Sequence, residues 1–490
     1  MVNNAVQLLK VNRPWRPVLF IILLGLGLYL GGSWLVPLID RDEPRFAEAT
    51  REMQERGDWV VPWFNDAPRY DKPPLIYWAQ SLSYRCFGES ALTARLPSAL
   101  FATGAALLLF FWARRLTAPR TALVAAVMFL TCLQVAIHAR LAVADLAMIF
   151  FVCAAQWSGW EYTRPAAVFP WRWWAVFYAS LALGFLAKGP VAWLPIAGLA
   201  LGRWYYPKEF TFGWARFLLG LLLILGLVAI WGIPALIQTH GDFLKVGLGY
   251  HVIDRSFEVL QGHGVRSGCT GWVATLPFYL VTFFFSFFPW SLWSPQALRR
   301  WWPGRRQDVF GWYLFTQVAV VFLVFTLVRT KLPHYTLPAF PCLALWLART
   351  EAAGWLKSLS VAKVAAGMSV LILTIAIGSA LWLGPTFVSH SLFEKARPQL
   401  QPAMEFATID YKEPALVWEF RQVLTNHLQL LSVTNVDNFL NQTNPSILIM
   451  STGLYETNFS RLAGDYKIVQ VQGMNWATSK RCQLTAIIHS

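Results

Sequence analysis

The residues best able to do chemistry gather between Asp40 and Trp78, in the stretch DRDEPRFAEATREMQERGDWVVPWFNDAPRYDKPPLIYW. It concentrates carboxylates, guanidiniums, aromatics and prolines in a chain that is otherwise mostly apolar. Asp42 stands before a helical pattern over 43–57, with Pro44 suited to the first turn and Gly57 to the end. Two roles compete for Asp42: a helix cap, or a carboxylate facing a substrate. Phe46, Ala49, Thr50 and Met53 recur on one face of this helix. Arg51–Glu55 and Glu52–Arg56 are i,i+4 pairs on the other, so the helix is expected to lie along a membrane interface. Asp71 and Lys72 then precede Pro73 and Pro74, which stiffen the chain and disfavour helix before them. A lysine held there can bind a phosphate as a point charge. The alternative is an Asp–Lys surface pair of little energetic weight.

Further charged groups stand at the ends of apolar runs. Asp145 enters one such run shortly after His138 and Arg140, and a carboxylate in that place is costly unless it faces a cavity or a partner. It is either a functional group or half of an Arg140–Asp145 pair. Lys188, before Gly189 and Pro190, either serves the same site or snorkels to the interface. In GYHVIDRSF, His251 offers a metal ligand or proton carrier, and Arg255 a phosphate clamp. RTKLPHYTLP, from Arg329 to Pro338, again puts basic and polar groups at a helix start.

These groups need elements to hold them. The chain has 490 residues, 56% hydrophobic and only 14% charged, with 26 tryptophans and a mean hydropathy of +0.44. Soluble domains carry about 25% charged residues, so this composition points to a multi-pass membrane protein with interfacial aromatics. Apolar runs at 18–38, 92–113, 121–138, 142–160, 173–187, 189–206, 213–237, 271–293, 309–328, 333–349 and 362–384 predict about eleven transmembrane helices. Lys10, Arg13 and Arg16 put the N-terminus in the cytoplasm. Alternating the loops from there gives every short inner loop at least two basic residues. The charged stretch, in a first external loop over 39–90 with interfacial helices, and the other charged helix ends then all face outside. Residues 1–389 are expected to form the transmembrane domain. Residues 390–490, richer in Asn, Gln, Thr and Ser and holding β-like runs at Ile447–Met450 and Lys467–Val471, are expected to form a small external soluble α/β domain. The net charge of +15 follows from the inner loops, and no basic, aromatic-interleaved module for nucleic acid is visible. Six cysteines without a CxxC make neither a zinc pattern nor a disulfide framework. The first apolar run lacks a small-residue cleavage site, which predicts a retained helix.

DEPRFAEATREM, RYDKPPLIYW, ARLAVADLAMIFF, FLAKGP, HVIDRSF and TKLPHYTLP, taken in order, resemble motifs of the polyprenyl-phosphate-dependent GT-C glycosyltransferases. The nearest branch is the bacterial aminoarabinose (lipid A) transferases, related to the protein O-mannosyltransferases. The resemblance covers about residues 15–350. It implies a GT-C fold in the inner (plasma) membrane. It also implies transfer of a sugar, with inversion, from a polyprenyl (undecaprenyl-type) phosphate donor to a lipid, glycan or protein acceptor on the external or periplasmic face. It assigns Asp42 and Asp145 as catalytic carboxylates. Lys72, Arg255, Lys188 and Tyr335 are assigned to the donor phosphate. Asp71, where the family usually has Glu, and His251 are assigned to a divalent metal cation, and Arg45 and Arg140 to supporting roles.

Two other classes fit an apolar chain with ionisable groups. A transporter would hold them near the bilayer midplane between repeated halves, whereas here they crowd the outer ends. A lipid-carrier phosphotransferase would need a nucleophile or a denser histidine cluster.

Overall fold

The computed structural model describes residues 15–39, 41–211, 213–247, 249, 269–354, 358–442, 444–460 and 466–489. His251 and Arg255 lie outside them. Apart from one short hairpin, the regular structure of the described chain is helical up to residue 396, then mixed. Helix α1 (Trp15–Leu30) leads to α2 (Asp42–Arg56), a short β1–β2 hairpin (Trp63–Phe64, Ala67–Pro68) and α3 (Leu75–Phe87). Then come α4 (Ala91–Leu116), α5 (Pro119–Leu130), α6 (Leu133–Ala139), α7 (Asp145–Thr163), α8 (Trp171–Lys188), α9 (Leu194–Tyr205) and α10 (Trp214–Gln238). After the gap follow α11 (Phe278–Ser286), α12 (Val309–Leu327), α13 (Phe340–Ala352) and α14 (Ser358–Leu383).

Five of these segments are long and apolar enough to cross a membrane: Trp15–Leu35, Ala91–Leu116, Trp214–Gln238, Val309–Leu327 and Val361–Thr386. The count reaches seven if each of two bent pairs is one span. One bend is unforeseen. The run expected as a single span at 121–138 breaks at Thr131–Cys132 with a turn of 64°. A second break, of 113°, falls before Trp290, next to Pro289, which lacks the donor a helix needs. The two breaks satisfy each other's backbone. Leu133 N donates to Phe288 O (2.9 Å), Cys132 Sγ to Ser286 O (3.1 Å) and Trp290 Nε1 to Thr131 Oγ1 (3.2 Å). Two other expected spans begin with a 3₁₀ turn, Pro190–Trp193 before α9 and Pro333–Ala339 before α13. Their prolines have no N–H to lose at a first turn, and both turns face the site described below.

Past α14 the chain forms α15 (Val388–Ala396), β3 (Glu405–Thr408), α16 (Pro414–Phe420), β4 (Gln429–Leu430), β5 (Ser446–Ser451), β6 (Tyr466–Asn475) and β7 (Lys480–His489). The sheet order is β4-β3-β5-β7-β6, parallel across β4-β3-β5 and antiparallel across β5-β7-β6. Both predicted β-like runs are strands of it. The central strand β5 is buried from Ser446 to Met450, which explains its continuous apolar run.

Helix α2 departs from the expected surface helix. Ten of its fifteen residues are buried, including Glu43, Glu48, Arg51 and Glu52. Its charged face meets α16 and the loop after it, leaving Glu55 and Arg56 exposed at the helix end. Arg51 pairs with Glu48 and Glu89 (both 2.6 Å) and lies 4.1 Å from the Trp418 ring centroid. Arg421 reaches Glu48 (3.4 Å) and Glu55 (2.5 Å). Asn65 and Leu428 exchange two hydrogen bonds (2.9 and 2.8 Å). Burial lifts the Glu48 carboxyl to about 7, against the pull of Arg51 and Arg421. Of the two anticipated i,i+4 pairs only Glu52–Arg56 forms, at 3.9 Å. Arg51 is turned to Glu48 and Glu89.

Candidate active site

The other face of α2 opens on a cavity of about 580 Å³. Asp42, Arg45 and Phe46 line it from α2, and Arg69, Tyr70, Asp71, Lys72 and Pro73 from the segment before α3. Asp145 and Met148 enter from α7, Lys188 from the end of α8, and His334 and Tyr335 from the 3₁₀ turn. Val228, Trp231 and Ala235 of α10, with Phe243, make an apolar wall. Trp231 is tied to the first loop by Nε1–H to Val60 O (2.9 Å), and Phe243 packs edge-on against Tyr70 at 5.5 Å. Seven residues singled out by sequence therefore share one cavity: Asp42, Arg45, Asp71, Lys72, Asp145, Lys188 and Tyr335.

Asp42 is the first residue of α2, and the N-cap position belongs to Arg41. The capping role is thus removed, and the carboxylate is left on the cavity. Arg41 holds a positive φ of 42°, sparsely populated for a residue with a side chain. The helix ends as foreseen at Gly57, in the left-handed region at φ 66°.

Positioning falls to Glu43, which sequence reasoning passed over. Its carboxylate takes Arg95 Nε and Nη2 (both 2.8 Å) and the amides of Ile39 and Ala142 (both 2.7 Å). Arg95 also donates to Ser33 O, Val36 O and Pro37 O (2.7, 2.8 and 2.8 Å). This buried pair joins the end of α1, the start of α2, α4 and the loop into α7. It fixes the loop carrying Asp42 to the loop carrying Asp145.

Asp145 is paired with Lys188 Nζ at 2.5 Å. The alternative reading, an Arg140–Asp145 pair, does not occur among the described residues. Arg140 donates instead to Leu28 O (2.6 Å) and Gly31 O (2.8 Å) at the end of α1, and it does not line the cavity. The carbonyls there are the unsatisfied groups of a helix C-terminus, a better partner than a carboxylate already holding an ammonium. Burial, then the neighbouring Arg95, lowers the Arg140 guanidinium to about 10.

Asp71 is held by Arg69 Nη2 at 3.2 Å. Arg69 lies 4.9 Å over the Phe46 ring, and its Nε and Nη1 make no hydrogen bond among the described residues. Burial, then Arg69, lowers the Arg45 guanidinium, while Asp42 and Asp71 raise it. Lys72 Nζ donates to the Asp71 carbonyl at 3.0 Å. Tyr335 packs on Phe325 at 5.0 Å between centroids. His138, just before the ARLAVADLAMIFF motif, and His334, inside TKLPHYTLP, receive no role from sequence; both stand against Asp145 and face the cavity.

Similarity to known proteins agrees with this architecture. The signature of the family described as "Dolichyl-phosphate-mannose-protein mannosyltransferase" matches residues 71–233. The chain is 32% identical over 328 residues to the undecaprenyl phosphate-alpha-4-amino-4-deoxy-L-arabinose arabinosyl transferase of Edwardsiella ictaluri, covering 64% of this chain and 56% of that one. It is 31% identical over 384 residues to the enzyme of the same name from Erwinia tasmaniensis, covering 74% and 66%. The chain thus spans somewhat over half the length of these relatives. In fold it superposes on the crystal structure of ArnT from Cupriavidus metallidurans bound to undecaprenyl phosphate, with a TM-score of 0.77 at 18% identity, covering 96% of this chain and 97% of that one. The ordered motifs, the helical frame and these relatives agree: the chain is similar to the polyprenyl-phosphate glycosyltransferases in sequence and shares the fold of ArnT.

Proposed function

We propose that this protein is an integral-membrane glycosyltransferase that moves a sugar from a polyprenyl phosphate to a lipid, glycan or protein acceptor on the external face. The observation that carries the reading is the cavity itself. It sets acidic groups (Asp42, Asp71), basic groups (Arg45, Arg69, Lys72) and an apolar wall from α10 around one space. A phosphate-linked sugar on a prenyl tail presents the complementary chemistry. In the same proposal the chain crosses the membrane about eleven times, with its N-terminus in the cytoplasm. Residues 390–490 form a separate external domain docked on α2.

Asp42 takes the proton of the acceptor hydroxyl as its oxygen bonds to the anomeric carbon. The bond from that carbon to the phosphate oxygen breaks, and polyprenyl phosphate leaves with the electron pair. A single displacement inverts the centre. General-base help of this kind contributes roughly 10²–10⁴-fold. Lys72 and Arg69 meet the charge growing on the phosphate, with Arg255 assigned by its motif, and such stabilisation is usually the largest catalytic term. Lys188 holds Asp145 as Arg69 holds Asp71, and the Lys188–Asp145 pair shapes the site beside the cations that meet the phosphate. Tyr335 supplies a hydroxyl to the donor. Asp71 is committed to Arg69, and a divalent cation held there with His251 would have to share that carboxylate. No step depends on it.

One observation favours a second reading. The His138–Asp145–His334 group brings two histidines together, one of the two features expected of a lipid-carrier phosphotransferase. The products separate the two readings, since a phosphotransferase moves the phosphate with the sugar. Mass spectrometry of envelope lipids and glycoproteins from a deletion strain is the test. The transferase reading expects one defined sugar to disappear from its acceptor while the polyprenyl phosphate sugar accumulates. An unchanged envelope glycan profile would refute it.

A further inference from the structure

We propose that His138, Asp145 and His334 form a divalent-metal site in the cavity wall, suited to a borderline cation of the Zn²⁺ class. One ligand atom from each lies within 4.8 Å of the others. The three come from separate elements: the last turn of α6, the first residue of α7 and the 3₁₀ turn at Pro333–Ala339. Residues so far apart in sequence converge only because the fold brings three helix ends together. The two imidazoles lie 4.9 Å apart between centroids. His138 and Asp145 are buried, yet all three residues face the cavity.

The surroundings suit ligation. His138 Nδ1 lies 3.2 Å from the main-chain carbonyl of Gln134, one helical turn back, and 3.0 Å from the side-chain Nε2 of the same residue. The ligating tautomer has Nδ1–H donating to that carbonyl, with the Gln134 side-chain amide turned over to present its oxygen, and the His138 Nε2 then keeps its lone pair. Metal-bound histidines use this second hydrogen bond to fix the tautomer and ring orientation. Lys188 occupies Oδ1 of Asp145 and leaves Oδ2 for a cation. Two imidazoles and one carboxylate are a common three-residue set for catalytic zinc, whose fourth position stays open. Zn–N bonds of about 2.0–2.1 Å place tetrahedral ligands about 3.3 Å apart. Side-chain rotations that close the triad by up to about 1.5 Å therefore complete the shell. With Lys188 beside it, the loaded site is strongly positive, and its open position would take a phosphate oxygen. That last ligand rests on the transferase reading. The metal seat does not, so the two can fail separately.

The test is metal stoichiometry on the full chain in detergent. Protein is stripped with chelator, loaded with Zn²⁺, desalted and measured by plasma mass spectrometry. The double variant His138→Gln/His334→Gln should lose one equivalent relative to wild type, while Asp71→Asn keeps it. Co²⁺ in place of Zn²⁺ should give visible absorption that the double variant lacks. His334→Gln alone, at the cavity surface, should weaken Co²⁺ binding and elute from gel filtration like wild type, which serves if the double variant fails to fold. A wild type that retains no Zn²⁺ overturns the proposal. So does unchanged Co²⁺ affinity in His334→Gln, or loss of the metal in Asp71→Asn instead.

Discussion

Arg95→Met should separate the two loops that carry Asp42 and Asp145. Arg95 and Glu43 have side chains only 3% and 2% exposed. Arg95 makes five hydrogen bonds, two to the Glu43 carboxylate and three to the carbonyls of Ser33, Val36 and Pro37. Methionine fills much of the same volume and makes none of them. Removing one partner of a buried pair costs about 3–5 kcal/mol, because the other charge stays buried. Glu43 would keep the Ile39 and Ala142 amides, which places the expected loss near the lower end, about 3 kcal/mol. Glu43→Gln keeps acceptor capacity and should cost less. Contacting residues couple by about 0.5–3 kcal/mol in a double-mutant cycle. The double variant Glu43→Gln/Arg95→Met should therefore be more stable than the sum of the singles predicts. The assay is thermal unfolding in detergent, run beside transfer activity in membranes. Arg95→Met with wild-type unfolding temperature and activity would refute the clamp, as would strictly additive singles.

Other changes probe the remaining contacts. Lys188→Met strands the Asp145 carboxylate and should destabilise by about 3–5 kcal/mol, while adding Asp145→Asn should recover most of the stability but not the activity; calorimetry beside transfer assays checks both. Trp418→Ala removes a buried ring stacked on Arg51 and should cost about 3–5 kcal/mol, seen as faster proteolysis of the segment after residue 390. His390 pairs with Glu419 at 3.2 Å, which raises the imidazole pKa. A raised folded-state pKa stabilises below the unfolded value of about 6.5 and loses that stability as pH climbs through the folded value. The pair is partly exposed, so the effect stays under about 1 kcal/mol. Unfolding temperature measured from pH 6 to 8 should lose that slope in Glu419→Gln.

Much of this architecture was readable from residue order. Pro44 and Gly57 bracket α2 as expected, and Asp71, Lys72, Asp145, Lys188 and Tyr335 all reach the cavity predicted from their places at helix ends. What escaped reading depends on distant partners. The i,i+4 spacing of Arg51 and Glu55 looks the same whether the face meets water or protein. Here Arg421, 366 residues from its partner Glu55, meets that face and buries it. Glu43 adjoins Asp42 in sequence, yet its role becomes visible only with Arg95 and the Ala142 amide in place. His138 and His334 each stand alone in sequence, 196 residues apart, and only the folded helix ends bring them together. The breaks at Thr131–Cys132 and Phe288–Pro289 lie inside runs whose composition reads as continuous span, and each break is satisfied by the other.

The central claim is that Asp42, freed from any capping duty, serves a transfer from a polyprenyl phosphate. The direct measurement is release of polyprenyl phosphate by the purified chain from the polyprenyl-phosphate-linked sugar that accumulates in the deletion strain, with envelope lipids and glycoproteins of that strain as acceptors, comparing wild type and Asp42→Asn. The account predicts release by the wild type and a fall of about 10²–10⁴-fold in the variant, with unfolding temperature unchanged. Asp42→Asn turning over at the wild-type rate would contradict it.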